Sequence, residues 1–343
     1  MSTNWMNRLE ELCGLDGVSG HEESVRAYIL EQLGRTGVPM DVRVDAMGNV
    51  LVHLHGKEPA ARKVLFDAHM DEVGLIVTHI TADGMLRFDT VGGIDSQVLF
   101  GCRVRFAHAF GVIGGKAIHQ CSGDEKKTVP SADRMVIDIG CSNAEEAEKL
   151  VQIGEVATFD SPFMHLTSSH FCGKAVDDRL GCALLLEMAE TQPQRDVWLS
   201  FSVQEEIGLR GAGVAAEGIR PDIAVAIDAT TAADTVGSSP ESAVCRMGSG
   251  AVVSFADRAT LYDADLYQHI RRLAEDKGIP TQTKNRIAGG NNAGAIQRSH
   301  TGVKMAAVSL PCRYIHSPSC LGCAEDARAM LELLQLLAEE LTR

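Results

Sequence analysis

The sequence lacks features that would each indicate a particular class of protein. No run approaches the roughly 18 consecutive apolar residues of a membrane span, and the segment Met1–Gly17 has neither the basic nor the apolar region of a secretory signal. Basic residues are a minority, because 32 Lys and Arg face 46 Asp and Glu, for a net charge of −14. This balance disfavours a protein that follows nucleic-acid phosphates. We therefore expect neither membrane nor nucleic acid as a partner.

Cysteines with the regular spacing of a disulfide framework are also missing. The ten cysteines are scattered, which indicates reduced thiols and a cytoplasmic location. Cys320 and Cys323 form a single CxxC without a second pair, so a zinc knuckle is not predicted. Buried or idle thiols are a better interpretation of this pair than a redox function.

Common nucleotide and hydrolase motifs are absent as well. No GxGxxG opens a helix after a strand, and no GxxxxGK[ST] or GxSxG occurs, so neither a nucleotide cradle nor a serine nucleophile elbow is indicated. With 45% hydrophobic and 23% charged residues, the chain has the composition of a folded globular protein. Its 343 residues suggest two domains, or one large domain with an insertion.

Both ends of the chain show an alternation of strand and helix patterns. Such alternation predicts an α/β fold, with a mostly parallel sheet sandwiched by helices. The predicted strands are Asn49–Leu54, Lys63–Ala68, Val197–Val203, Ile223–Asp228 and Val303–Leu310; the predicted helices are 19–34 (capped by Ser19 or Gly20), Asp177–Glu190, a segment from about Glu205, Asp263–Lys277 and Glu325–Leu341.

Residues 73–165 differ, because short apolar stretches alternate there with Gly, Asp and Ser and helical periodicity is nearly absent. This pattern is typical of a small β-barrel-like domain, with one short helix at Ser142–Val151 capped by Ser142. We expect residues 1–72 and 166–343 to form a discontinuous catalytic domain. The inserted domain 73–165 is expected to build a homo-oligomer rather than the active site.

Imidazoles and carboxylates gather at the ends of the predicted elements. Ligands bind at the carboxyl ends of strands in open α/β sheets, so these side chains are expected to meet. Imidazole with carboxylate and no thiolate suits zinc, cobalt or manganese, and two such ions can turn a bridging water into hydroxide near neutral pH. The candidates are His69, Asp71, Asp177, Asp178, Glu205, Glu206, Asp228 and His316.

Five ordered segments carry a resemblance to a known family. They are AHMDEVGLIV (68–77), GKAVDDRLG (173–181), VQEEIGLRGA (203–212), AIDAT (226–230) and RYIHSP (313–318). They resemble the dinuclear-metal aminopeptidases of metallopeptidase family forty-two, which include the TET enzymes, bacterial glutamyl aminopeptidases and proteins named cellulase M. The resemblance runs from about residue 10 to the C-terminus.

The resemblance implies a metal-dependent aminopeptidase that acts on peptides and assembles through residues 73–165, from dimers up to dodecamers. Two divalent ions per subunit are implied, zinc or cobalt first and manganese as a possibility. His69 and Asp228 would hold one ion, Glu206 and His316 the other, and Asp177 would bridge them. Glu205 would be the general base, and Asp71 would orient His69.

Two segments depart from the family pattern. Gly290–Ala293 reads GNNA where many members have GTDA, and Thr231–Gly237 lacks an Asp-Xaa-Pro-Gly stretch. Both are expected where substrate side chains are recognised. An acidic substrate side chain would need a cation; Arg246, Arg286 and Arg298 are candidates, but the negative net charge favours a broad or aliphatic preference.

Three alternatives remain open from the sequence. A metal-dependent deacylase or amidase on small N-acyl substrates would use the same ions. A cellulase-like glycoside hydrolase would need two carboxylates flanking a sugar and no metal. A non-catalytic scaffold would have no need of all five proposed ligands.

Overall fold

A computed structural model of the chain describes residues 4–239 and 241–343. An eight-stranded mixed sheet lies between helices and shares its core with them, and a closed barrel of six antiparallel strands has a second core of its own. This arrangement confirms the predicted fold class. Among the described residues, no helix combines the length and apolar character that crossing a bilayer requires.

The large sheet has parallel strands at its centre and antiparallel pairings towards its edges. Strands β12 (Val197–Ser202), β3 (Val64–His69), β13 (Ile223–Thr231) and β16 (Lys304–Cys312) run parallel as neighbours. Strand β2 (Val50–Leu54) runs antiparallel to β12, and β14 (Ala251–Val253) runs antiparallel to β16. Strand β3 is buried throughout, as expected for an apolar run covered on both faces. In spatial order the strands are β1 (Met40–Val44), β2 (Val50–Leu54), β12 (Val197–Ser202), β3 (Val64–His69), β13 (Ile223–Thr231), β16 (Lys304–Cys312), β14 (Ala251–Val253) and β15 (Thr281–Thr283).

The barrel consists of the six strands that directly follow β3 along the chain. Alternate residues of its strands face the barrel core, as in Phe110–Gly114. The barrel strands are β4 (Gly74–Ile80), β5 (Leu86–Val91), β6 (Arg103–Arg105), β7 (Phe110–Gly114), β8 (Val136–Asp138) and β9 (Val156–Phe159); a small separate sheet contains β10 (Met164–His165), β11 (His170–Gly173) and β17 (Cys320–Cys323).

Eight α-helices lie in the described part of the chain, and two of them, Trp5–Gly14 and Ala293–Ile296, were not predicted. The helices are α1 (Trp5–Gly14), α2 (Glu23–Arg35), α3 (Ala144–Glu148), α4 (Val176–Ala189), α5 (Arg210–Ile219), α6 (Ala264–Lys277), α7 (Ala293–Ile296) and α8 (Ala324–Leu341).

Two predicted helix caps are wrong for local reasons. Helix α2 begins at Glu23 because the Ser19 hydroxyl donates to Asp71 and the Gly20 N–H donates to the Glu22 side chain. Helix α3 is capped by Asn143, not Ser142, since the Asn143 side chain accepts the N–H of Glu146.

The expected helical segment from Glu205 is also wrong. Gln204 and Leu209 have positive φ values of 57° and 58°, so the chain turns between them. Helix α5 starts only at Arg210. The turn leaves Glu205 and Glu206 at the end of β12 rather than on a helix.

A buried ionic network joins the barrel, the N-terminal segment and the large sheet. Arg105 of the barrel pairs with Asp16, whose carboxylate lies 3.8 Å from Lys174. The Lys174 ammonium donates to Glu72 at 2.7 Å, and Arg179 donates to the same carboxylate at 3.2 Å. Glu72, Lys174 and Arg179 are each at most 2% exposed. Their charges therefore depend on one another for compensation.

We predict that Glu72→Gln lowers the free energy of unfolding by about 3–5 kcal/mol, because it leaves buried Arg179 without a carboxylate and buried Lys174 with only the more distant Asp16. Chemical denaturation of the chelator-treated protein measures the change. The matched control is Glu31→Gln, which removes an exposed pair with Arg35 and should cost less than about 1 kcal/mol. Equal small effects of both substitutions would contradict the prediction.

Candidate active site

The carboxyl ends of the parallel strands form the floor of the site. His69 is the last residue of β3, and Asp228 lies level with it on β13, since Ala226 is the register partner of Asp67. Glu206 follows β12 and His316 follows β16. Asp177 has the non-helical angles φ −81° and ψ 109° near the start of α4. The chain thus delivers all five proposed ligands to one edge of the sheet.

The five side chains form two groups that share Asp177. In the first group, His69 Nε2 lies 3.2 Å from Asp177 Oδ1 and 3.9 Å from Asp228 Oδ1. In the second, His316 Nε2 lies 3.3 Å from Asp177 Oδ2 and 3.2 Å from Glu206 Oε1. Within each group the potential ligand atoms lie within 4.8 Å of one another. One oxygen of Asp177 therefore faces each group.

The donor set and its charges fit a pair of divalent cations. Glu206 Oε1 is buried and makes no hydrogen bond of suitable geometry with any described residue, although His316 Nε2 lies 3.2 Å away. Burial raises the pKa of Asp228 and of Glu206, and the charge of Asp177 raises both further. Cations at this position would offset the repulsion between the carboxylates and supply a partner for the orphaned oxygen.

Asp71 holds the turn that carries the two glutamates. Its Oδ1 accepts the N–H of Glu205 at 2.9 Å, and its Oδ2 accepts the N–H of Glu206 at 3.1 Å and the Ser19 hydroxyl at 2.5 Å. Asp71 Oδ1 also lies 3.4 Å from Nδ1 of His69, while the Asp71 carbonyl oxygen is 3.0 Å from the same nitrogen. Asp71 is thus placed to orient His69, and it contacts the Glu205–Glu206 turn in addition.

Two further groups hydrogen-bond to the histidines of the site. Asp178, a candidate from the sequence that had no assigned role, accepts the backbone N–H of His69 through its Oδ2 at 3.3 Å, from a buried position. The carbonyl oxygen of Gly93 lies 2.8 Å from His316 Nδ1. The sequence gives no signal for such a contact, because every residue has a backbone carbonyl oxygen. Gly93 belongs to the inserted segment, so this segment contributes a backbone contact to the site, although none of the five proposed ligands lies in it.

A cavity of about 320 Å³ opens above the two groups. Glu205 lines it, and burial raises the pKa of this carboxyl group to about 8; His69 opposes the shift, whereas the charges of Glu206 and Asp177 add to it. Lys284 lines the same cavity and is 6% exposed. The cavity therefore combines a carboxyl group of high proton affinity with an ammonium group.

Both segments that depart from the family pattern reach the cavity, but not with every residue. Thr231 and Asn291 line the cavity. Asn292, in contrast, is buried beneath it, where its amide donates to Asp67 at 2.8 Å and to Ser202 at 2.9 Å. The expectation that these positions contact substrate is thus wrong for Asn292.

A model of the M42 glutamyl aminopeptidase family matches residues 48–333. The chain belongs to this family. It is 33% identical to a lysyl aminopeptidase of Pyrococcus furiosus, over 95% of the chain and 94% of that protein. The fold superposes on a TET aminopeptidase from a marine sediment thaumarchaeon with a TM-score of 0.93, at 33% identity over 98% of this chain and 96% of that one. The protein is a metal-dependent aminopeptidase, a hydrolase of peptide bonds.

A third relative is the TET1 peptidase of Pyrococcus horikoshii, which can assemble into a tetrahedron or a large octahedral shell. Its TM-score is 0.86, at 34% identity over 98% of this chain and 99% of that one. The resemblance inferred from the five segments is thereby confirmed. The deacylase, glycosidase and scaffold alternatives are not favoured by these relatives.

We predict that Asp71→Asn lowers kcat by about 10- to 100-fold while the protein still folds, because an amide has one acceptor oxygen where the carboxylate uses two. Hydrolysis of aminoacyl anilides measures kcat, and circular dichroism checks the fold. Ser19→Ala is the control, since it removes only one of the contacts to Asp71 and should have a smaller effect. Unchanged kcat in Asp71→Asn would show that the turn does not need this carboxylate.

Proposed function

We propose that the enzyme removes N-terminal residues from peptides at the site formed by the two ligand groups that share Asp177. The observation that carries this proposal is the pair of ligand groups on the two oxygens of Asp177, directly below the cavity. His69 and Asp228 would hold one divalent ion, and Glu206 and His316 the other. Zinc or cobalt suits this mixture of imidazole and carboxylate best, and manganese is also compatible. Such ions, when bound, polarise the scissile carbonyl and acidify water.

Glu205 is the proposed general base. Its side chain lines the cavity but belongs to neither of the two ligand groups that share Asp177. Its raised pKa makes the carboxylate a stronger base than that of a surface glutamate. It would take a proton from the attacking water and hand it to the leaving amine. Asp71 would keep Glu205 pointing at the reacting atoms through its hydrogen bond to the backbone N–H.

A pair of variants tests this assignment. Glu205→Gln should keep its metal and lose about 10²–10⁴-fold in kcat, because the amide cannot accept the proton. Asp177→Asn should lose both activity and the metal of the active site, since it weakens both ligand groups together. Elemental analysis and anilide hydrolysis separate the two results. Near-normal turnover of Glu205→Gln, or full activity of the wild type after exhaustive chelation, would refute the mechanism.

A deacylase would share this site, so substrate choice must distinguish the two activities. Aminoacyl anilides carry the free amine that an aminopeptidase requires, whereas N-acetyl amino acids lack it. The proposal expects hydrolysis of the first class only. Preferential hydrolysis of N-acetyl amino acids would favour the deacylase.

We further propose that the cavity prefers an acidic first side chain. Lys284 lies among the described residues that line the cavity, whereas Arg246, Arg286 and Arg298 do not. Among the described residues the Lys284 ammonium makes no hydrogen bond or ion pair, so it is available to a substrate carboxylate. A buried cation near a ligand outweighs the long-range repulsion from the net charge, which salt screens within about 10 Å. This revises the broad or aliphatic preference expected from the sequence.

Lys284→Met should lower kcat/KM for glutamyl and aspartyl anilides by about 10- to 100-fold, because a hydrogen bond to a charged group contributes about 1.5–3 kcal/mol. Leucyl anilide should be hydrolysed about as fast as before. A matched control is Arg286→Met, which removes a cation outside the cavity. If the variant loses activity equally on all anilides, Lys284 does not select the side chain.

The proposed boundaries of the barrel domain remain 73–165, and we propose that this domain supports a homo-oligomer. Its outer face carries several large apolar side chains that solvent would otherwise contact, and such patches mark protein interfaces. The assembly of the related TET1 peptidase supports the same proposal. The exposed side chains are Phe100, Phe110, Val112, Ile118, Val129 and Ile153.

The assembly proposal predicts a mass above that of one 36.8 kDa chain at micromolar concentration. Light scattering after size exclusion measures it. Phe110→Asp should shift the mass downwards, since it places a charge on the exposed apolar face. Val236→Asp, an exposed position outside the barrel, should leave the mass unchanged. A wild-type monomer would end the proposal.

The cytoplasm is the proposed location. All ten cysteines are free thiols, the state that a reducing compartment maintains.

A further inference from the structure

Two histidines and an aspartate lie on one face of the β1–β2 hairpin, at an edge of the large sheet. The hairpin is antiparallel, and Asp41 is the register partner of His53. His55 follows two residues later, so its side chain leaves the same face of the ribbon as that of His53. His53 alternates along the strand with the buried residues Val52 and Leu54. The pairing of the strands adds a carboxylate opposite the two imidazoles.

The three side chains converge on one point. Asp41 Oδ2 lies 3.0 Å from His55 Nε2 and 3.8 Å from His53 Nδ1, and the three potential ligand atoms all lie within 4.8 Å of one another. Tetrahedral zinc with ligand bonds near 2.0–2.1 Å needs its ligand atoms roughly 3–3.5 Å apart. Small side-chain adjustments therefore suffice to form a three-ligand site.

The environment holds His53 in the orientation that a metal ligand needs. Its ring stacks on Trp198, with a centroid distance of 4.3 Å and an interplanar angle of 2°. Its other nitrogen, Nε2, faces the Asp196 carboxylate at 3.6 Å. A carboxylate behind a ligating imidazole favours the tautomer in which the opposite nitrogen is free to bind a metal. Here that free nitrogen is Nδ1, which faces Asp41.

The hairpin site is separate from the candidate active site. Trp198 is the register partner of Leu65, and Ser202 that of His69, so four residues of strand separate the two levels of the sheet. At about 3.3 Å per residue this is roughly 13 Å along the strands.

We propose that Asp41, His53 and His55 bind one borderline divalent transition ion, with zinc as the representative. Two imidazoles and one carboxylate suit zinc, cobalt, nickel or copper rather than calcium or magnesium, which prefer oxygen ligands. The ion links β1, the edge strand, to β2 and so reinforces an edge that has no further strand beside it. Water completes the coordination, because the site opens to solvent.

Equilibrium dialysis of the metal-loaded enzyme against micromolar zinc, followed by elemental analysis, tests this site. The wild type should retain one zinc ion per subunit more than His55→Ala, and Asp41→Asn should show the same loss. His79→Ala, which removes an exposed histidine from a barrel strand, should retain as much zinc as the wild type. None of these three residues belongs to the active site, so the peptidase activity of each variant should equal that of the wild type.

A second measurement separates the hairpin ion from the active-site ions. In an Asp177→Asn background, zinc should still bind, and adding His55→Ala should abolish that binding. Added zinc should also raise the thermal midpoint of the wild type more than that of His55→Ala. Equal zinc content in wild type and His55→Ala would overturn the proposal, as would loss of the extra ion in His79→Ala.

Discussion

The shared carboxylate of Asp177 is the interaction on which the site depends. Its two oxygens face two different imidazoles, and three more carboxylates lie around them in a buried cluster. Burial raises the pKa values of Glu205, Glu206 and Asp228, and repulsion from the neighbouring carboxylates raises them further. Divalent ions would turn a destabilising cluster into a stable one, which makes metal binding and the geometry of the site mutually dependent.

Such a cluster needs a rigid support, and the fold provides it through buried polar contacts. Asp71 fixes the turn after β12, while Asp178 fixes the backbone of His69. Behind them, Glu72 binds Lys174 and Arg179, on either side of the Asp177–Asp178 pair. His69, Glu206 and Asp177 thus each lie beside a residue that is held by buried polar contacts. A small displacement of these side chains would therefore lower the rate of the reaction strongly.

The sequence could predict the strand ends and the side chains that lie there, because buried parallel strands are apolar and their carboxyl ends meet. His69, Asp177 and His316 could be proposed on that basis, with the family resemblance to pair them. Backbone groups could not be found in this way. The carbonyl of Gly93 has no chemical mark in a sequence, and Lys284 reaches the cavity through a loop whose path depends on tertiary packing. Helix caps failed for the same reason, since Ser19 is used by Asp71 instead.

The contact between Gly93 and His316 changes how the barrel should be understood. An insertion used only for assembly could move relative to the sheet without consequence for the site. Here the barrel supplies the acceptor for Nδ1 of His316, and Arg105 joins it to the network around Lys174. Because the orientation of His316 sets the second ligand group, a shift of the barrel would move a ligand. Assembly through the barrel would therefore restrain the same contact, and oligomer formation would then be physically coupled to the geometry of the site.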